Sequence, residues 1–288
     1  MRVGVISGDP GHPLLAATAR VLRPEHSVEF IDPEAARSGG GTVRGGGAGG
    51  TGRRADVVLL KTQTSRAVAL AARLEACGVP VINSVRATVL CQDRFEVAGA
   101  LRAAGLPFAR TVCATTLGRL VELCSARGTS SLPGFPLMVK SQDSRRHDLV
   151  VRVDTPDRLA ELASVRRPGE PVIVQEFAPN TGWDHKLWVV DGRLFTARRR
   201  SPLAGSRSPD LPVPIAALPA EWPAAALRTG EVLELDVYGV DILDTGGGAA
   251  LIVDVNAFPG GVASCAGASR ALAALALRTA DRAQGTLM

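Results

Sequence analysis

Aromatic side chains are scarce: Phe, Trp and Tyr together make up 4% of 288 residues. Few platforms are therefore available on which nucleic-acid bases could stack. The net charge of +5 is carried by arginines spread along the chain, so it reads as solvated surface or as a pocket for anionic ligands rather than a nucleic-acid stripe. Lysine is scarcer still, with Lys61, Lys140 and Lys186 standing against thirty arginines. In so Arg-rich a chain, a lysine at the end or start of an apolar run marks a place that needs a compact ammonium, and Lys140 and Lys186 sit at such places. No apolar run approaches the roughly 18 residues of a membrane span. The opening MRVGVISGDPGHP enters a strand-like run without the basic and long apolar regions of an export signal. A soluble, cytoplasmic protein with no membrane partner is expected. The five cysteines (Cys77, Cys91, Cys113, Cys124, Cys265) lack paired spacing, which argues against a disulfide framework, and the four isolated histidines argue against structural zinc. GxxxxGK[ST] and a nucleophile elbow are missing, and GxGxxG occurs only inside the low-complexity Gly-rich run 38–52, so dinucleotide, P-loop and covalent-hydrolase chemistries have no support.

What is present is a 46% hydrophobic chain in which strands and helices alternate. Residues 1–88 read as an α/β lobe with a parallel sheet, interrupted by a Gly-rich surface insertion at 38–52. Residues 89–170 read as a small α+β lobe. It has a helix at 93–104, another near 116–127, a strand FPLMVKS (135–141) with its antiparallel partner at 148–153, and a helix opened by Thr155-Pro156. Residues 171–288 read as a larger antiparallel lobe. Its strand PVIVQEF (171–177) is followed by a hairpin turning at Asp191-Gly192. A Pro-rich loop (202–222), a helix at 223–235, a strand pair at 237–243 and 250–256, and a closing helix at 264–283 complete it.

The strand pair carries the sharpest signal. A hairpin closed about Gly247-Gly248 places Asp241 opposite Asp254, with Asn256 about 6.5–7 Å further along the same face. Val253 and Val255 are then expected to point into the core. Two carboxylates and an amide on one face suit a hard divalent cation, whose charge relieves their repulsion. Lys140, at the end of its strand, can hold an ammonium against phosphates, and Arg145, Arg146 and His147 add donors in the following turn. The edge of VIVQEF offers backbone groups to a flat heterocycle between apolar walls. In the Asp-Gly hairpin, Lys186 opens one strand and Arg198–Ser201 closes the other. Arg198 and Arg200 share a face and are expected to stabilise an anionic transition state, while Arg199 points away. Asp184 and His185 stand beside Lys186 as candidate partners.

Taken in this order, these segments resemble the ATP-grasp superfamily. GVPVINSVRATVLCQDRFEVAGALRAAGLPFART (78–111) is similar to its entry segment. The resemblance implies a fold of two α+β subdomains gripping ATP behind an α/β lobe. It also implies phosphate contacts from Arg94 and Lys140, adenine at the hinge Gln175, Glu176, Phe177 and Ala178, and Lys186 on phosphate or substrate. Asp241, Asp254 and Asn256 would hold Mg²⁺, for which Mn²⁺ can substitute. GWDHKLWVVDGRLF and DVNAFPG resemble the alpha-L-glutamate (ribosomal-protein-modifying) ligase branch. VQEF, Lys186, RRRS, NAFPG and His147 resemble inositol polyphosphate kinases.

The expected function is a carboxylate–amine ligase working through an acyl phosphate, with Arg198, Arg200 and Lys186 as catalytic groups. Its partners would be small carboxylates and amines, or a peptide terminus, and a homodimer is compatible. A small-molecule kinase and a catalytically silent ATP-binding module are the rival expectations.

Overall fold

A computed structural model describes residues 1–35, 54–125, 132–144, 148–201 and 209–285. The Gly-rich insertion at 38–52 and the donors Arg145, Arg146 and His147 lie outside these residues.

Four parallel strands come first: β1 (Arg2–Ile6), β2 (Ser27–Ile31), β3 (Val57–Leu60) and β4 (Val81–Ile82), in the order β2-β1-β3-β4. Strand β3 is VVLL because a parallel strand covered on both faces has no solvent side. Val57 and Leu59 join one core cluster and Val58 and Leu60 another. Helices α1 (Pro13–Leu22) and α2 (Ser65–Ala76) belong to this lobe, and the Thr64 hydroxyl caps α2 by accepting from the Ala67 amide.

Helices α3 (Val85–Gln92) and α4 (Arg94–Ala103) follow, separated by Asp93, whose carboxylate accepts from the amides of Phe95 and Glu96. The sequence reading found α4 but not α3, where Val85, Thr88 and Val89 dilute helix propensity with β-branched residues. Ser84 offsets this by capping the Ala87 amide. By sequence, the chain from residue 89 to 170, α4 included, belongs to the small lobe. In the structure Ala87, Cys91, Val97, Ala98 and Leu101 instead share a core with Leu187, Trp222, Val240 and Ile252 of the C-terminal lobe.

The small lobe is a four-stranded antiparallel sheet in the order β5-β8-β6-β7. Its elements are β5 (Thr111–Thr116), α5 (Leu117–Ser125), β6 (Leu137–Ser141), β7 (Val150–Val153), α6 (Pro156–Val165) and β8 (Pro171–Glu176). The antiparallel β6–β7 pairing and the Thr155-Pro156 helix start are as expected from sequence. Strand β5, a TVCATT run without large apolar residues, was not.

The C-terminal sheet runs β11-β10-β9-β12-β13. Its strands are β9 (Trp183–Val190), β10 (Arg193–Arg200), β11 (Leu211–Pro212), β12 (Val237–Asp244) and β13 (Ala250–Ala257), with helices α7 (Glu221–Leu233) and α8 (Ala268–Gly285). Asp191 and Gly192 both take positive φ, 54° and 71°, which the tight β9–β10 turn requires. One face of this sheet, through Trp188, Val190 and Val237, packs on α8 and the N-terminal sheet. The other, through Leu187, Val189, Val240 and Ile252, packs on α3, α4 and α7. Asn83 ties the sheets together: its buried amide donates to the Val237 carbonyl (2.7 Å) and accepts from the amides of Asp236 and Val237 (2.8 Å each). The upper part of the first face is left to line a cleft beneath the small lobe.

Candidate functional site

Asp241 on β12 pairs directly with Asp254 on β13 and, on its other side, with Lys186 on β9. Side chains opposite one another on antiparallel strands share a face. Lys186, Asp241, Asp254 and Asn256 are therefore brought together, and Lys186 Nζ pairs with Asp241 Oδ2. The ladder then slips by one residue: Asp241 pairs with Asp254 but Ile242 pairs with Ile252, leaving Val253 bulged. The bulge frees the Val253 carbonyl, which accepts from Lys140 Nζ at 2.8 Å across the cleft. Val253 lines the cleft and joins no core cluster among the described residues, while Val255 and Ile252 remain in the core, so the expectation that Val253 belongs to the core is corrected.

The small lobe closes the other side of a cavity of about 340 Å³. Met138 and Val150 form an apolar wall on that side, facing Leu243 and Val253 on the C-terminal sheet. Gln175, Glu176, Phe177 and Ala178 line the back, with the Gln175 amide held by Thr111 Oγ1 at 3.0 Å. Arg94, buried at the start of α4, reaches in from below. Its Nε and Nη2 face the Asp254 oxygens at 3.3 and 3.5 Å, and its Nη1 meets Asp148 Oδ2 at 2.6 Å and the Ser141 carbonyl at 2.9 Å. Asn256 is held between Asp254 and Ser144, the Ser144 hydroxyl donating to its Oδ1 at 3.3 Å.

Burial and neighbouring charge compete in the electrostatics. Burial pushes the Lys140 pKa below its ordinary value, against the pull of Asp254, and pushes Asp241 above the carboxylate value despite Lys186. For Asp254 burial acts upward as well, but Arg94 and Lys140 outweigh it and the pKa falls below the ordinary value. Arg94 is held above its ordinary value because Asp254 and Asp148 outweigh its burial. Asp254 is thus the carboxylate best prepared to stay ionised.

Of the residues singled out by sequence, Arg94, Lys140, Gln175, Glu176, Phe177, Ala178, Asp184, Lys186, Asp241, Asp254 and Asn256 all line this one cavity. His147 lies outside the described residues. Arg198 and Arg200 do not reach the cavity, which corrects their expected role. The two-residue turn pairs Lys186 with Ala197 and Asp184 with Arg199, so Arg198 and Arg200 stand on the opposite face. There their guanidiniums stack on the Trp183 ring at 4.6 and 4.2 Å. Of the three consecutive arginines, Arg199 lines the cleft. Sequence reasoning also missed Asp148, Ser144 and Asn180, polar loop residues whose approach depends on how the small lobe folds over. Asp241, Asp254 and the Asn256 amide form an all-oxygen donor set, as a hard cation requires. Among the described residues no group of three or more His, Cys, Asp or Glu side chains forms a metal cluster by itself.

Residues 128–270 match the family described as the RimK-like ATP-grasp domain. The chain is 22% identical over 206 residues to human beta-citrylglutamate synthase B, covering 70% of this chain and 53% of that protein. It is 30% identical over 134 residues to a probable alpha-L-glutamate ligase of Syntrophotalea carbinolica, covering 44% of each. The chain thus spans about half the length of the curated relatives it matches. The solved RimK domain protein ATP-grasp of Sphaerobacter thermophilus superposes with a TM-score of 0.71 at 21% identity, covering 96% of this chain and 100% of that one. No helix among the described residues is long and apolar enough to cross a membrane. Two antiparallel sheets facing each other across a cleft behind a parallel one, and the superposition, agree on an ATP-grasp fold, and residues 128–270 of it are similar to the RimK-like ATP-grasp domain.

Proposed function

We propose that the cleft binds ATP with Mg²⁺ and joins a carboxylate to an amine through an acyl phosphate. The observation that carries the reading is convergence in one cavity. Lys140, Lys186 and Arg199 supply positive charge, Asp241, Asp254 and Asn256 supply oxygen donors, and Met138, Val150, Leu243 and Val253 supply apolar walls for a ring.

The adenine lies between those walls, against the backbone of residues 175–178. Lys140 and Lys186 hold phosphate oxygens, and Arg94 lies close enough to contribute. Asp241, Asp254 and Asn256 hold the divalent ion, which supplies charge neutralisation of the phosphates when bound. A substrate carboxylate oxygen attacks the γ-phosphorus as the bond to ADP breaks, giving an acyl phosphate. The amine nitrogen then attacks the acyl carbon, an amide forms, phosphate leaves, and the amine proton passes to solvent. Arg199, on the cleft face beside Asp184 and Lys186, balances the charge that develops on the transferred group and on the tetrahedral oxygen.

The relatives named for glutamate ligation and citrylglutamate synthesis make glutamate the first amine to try. The acceptor can be a small carboxylate or a peptide terminus. Incubation with ATP, Mg²⁺ and pooled amino acids and dicarboxylates is expected to release ADP and phosphate only when both an amine and a carboxylate are present. A phosphorylated product without free phosphate would establish kinase chemistry instead. Asp254→Ala is expected to abolish turnover, and unchanged turnover would remove Asp254 from the site.

A further inference from the structure

Asp241 and Asp254 face each other across neighbouring strands, an arrangement that destabilises a sheet unless the charge is met. Each carboxylate is met by a cation of the chain itself. Lys186 pairs with Asp241, and Arg94 covers both oxygens of Asp254. Asp148 takes the other arm of Arg94, and Lys140 donates to the Val253 carbonyl next to Asp254.

A lone divalent ion that approaches the pair finds both carboxylates already met, Asp241 by Lys186 and Asp254 by the Arg94 guanidinium. Arg94 is not a mobile surface group that would simply swing aside. Its side chain is buried (7% exposed), and it bonds the Ser141 carbonyl at 2.9 Å and Asp148 at 2.6 Å. Its own amide is fixed to the Gln142 carbonyl at 3.0 Å. A polyphosphate alters the balance, because its oxygens offer Arg94, Lys140 and Lys186 other partners and so release both carboxylates.

We propose that Arg94 is a resident counter-ion of Asp254 that bars a lone divalent cation from the carboxylate pair until an anionic polyphosphate draws the guanidinium away. Arg94 is then a positioning residue that makes metal entry conditional on nucleotide. The inference rests on reading Asp241, Asp254 and Asn256 as the metal ligands.

The test is titration of the full chain with Mn²⁺, following the electron paramagnetic resonance of the free ion, with and without ADP. Arg94→Gln is expected to bind Mn²⁺ without ADP about tenfold more tightly than the unaltered chain, the scale on which neighbouring groups tune metal affinity. Arg94→Lys keeps the buried charge but loses the fork that spans both oxygens; it should fall between the two and carries the test if the glutamine variant fails to fold. With ADP the unaltered chain should bind Mn²⁺ well and the difference between variants should shrink. Adding Asp254→Asn to Arg94→Gln should restore weak binding. Equal or weaker binding of Mn²⁺ alone by the Arg94 variants, or tight binding that survives Asp254→Asn, would overturn the proposal. Failure of any form to bind ADP would instead count against the nucleotide reading, while the comparison with metal alone still decides the role of Arg94.

Discussion

Strand alternation gives three consecutive arginines two different jobs. Arg199 faces the cleft with Lys186 and Asp184, whereas Arg198 and Arg200 are exposed and lie against Trp183 on the far face. Replacing Arg199 by Gln is expected to lower kcat by about 10²–10³, the loss typical of one donor aimed at developing charge. Arg198→Gln and Arg200→Gln should leave kcat within about threefold, since surface cation–π pairs are each of order 1 kcal/mol and act on stability alone. Steady-state rates of the three variants check the assignment, and a large kcat loss confined to Arg198 or Arg200 would reverse it. The correct face was within reach of the sequence. An Asp-Gly two-residue turn forces Val190 opposite Arg193, hence Lys186 opposite Ala197, and parity then selects Arg199. Cys91 offers a second test at this scale. It is buried on α3 with its thiol donating to the Val255 carbonyl, and burial pushes its pKa up to about 12. A raised thiol pKa means little thiolate near neutrality. Alkylation at pH 8 should therefore label exposed Cys77 and spare Cys91 until the chain unfolds or the pH nears 12. Mass spectrometry of iodoacetamide-treated protein checks this, and early labelling of Cys91 would refute it.

At the scale of elements, the β12–β13 hairpin shows which features a sequence reveals. The pairing of Asp241 with Asp254 followed from apolar strands around a Gly-rich turn, and the structure has that pairing. The bulge at Val253 did not follow, because a valine between isoleucine and aspartate reads the same whether it faces core or cleft. What places it in the cleft is the extra residue in β13, whose freed carbonyl meets Lys140 from a different lobe. Helix α7 holds a similar tertiary override. Alanine in place of a mid-helix glycine ordinarily stabilises by about 1 kcal/mol. At Gly230, however, an added Cβ would overlap the Tyr238 phenol, whose hydroxyl donates to the Ala226 carbonyl at 3.0 Å. Gly230→Ala is therefore expected to destabilise by about 1–3 kcal/mol, the cost of overpacking a filled core. A urea midpoint at or above that of the unaltered chain would show that α7 and β12 can move apart freely.

At the scale of the whole molecule, the parallel and antiparallel elements are legible in sequence because each repeats a simple pattern, but the place of β8 is not: read by sequence as opening the larger lobe, it pairs with β5 and β6 in the small one. Buried strands read as apolar runs and hairpins as alternation around Asp-Gly or Gly-Gly. Ownership of α3 and α4 was not legible, since their apolar faces fit either neighbour and only the assembled core assigns them to the C-terminal sheet. That assignment matters for the site. Arg94 is carried by α4 on the C-terminal lobe yet grips the loop after β6 in the small lobe, so it spans the cleft at its base. The chemistry proposed for this cleft turns on where one oxygen atom travels. If a carboxylate attacks the γ-phosphorus and the acyl phosphate is then cleaved by an amine, an oxygen of that carboxylate leaves with the phosphate. The chain should be incubated with ATP, Mg²⁺ and a pool of amino acids and dicarboxylates enriched in ¹⁸O at their carboxylates, and the products resolved by mass spectrometry. The account predicts ADP, a new amide, and inorganic phosphate carrying one ¹⁸O; unlabelled phosphate, or the γ-phosphoryl group retained on an organic product, would contradict it.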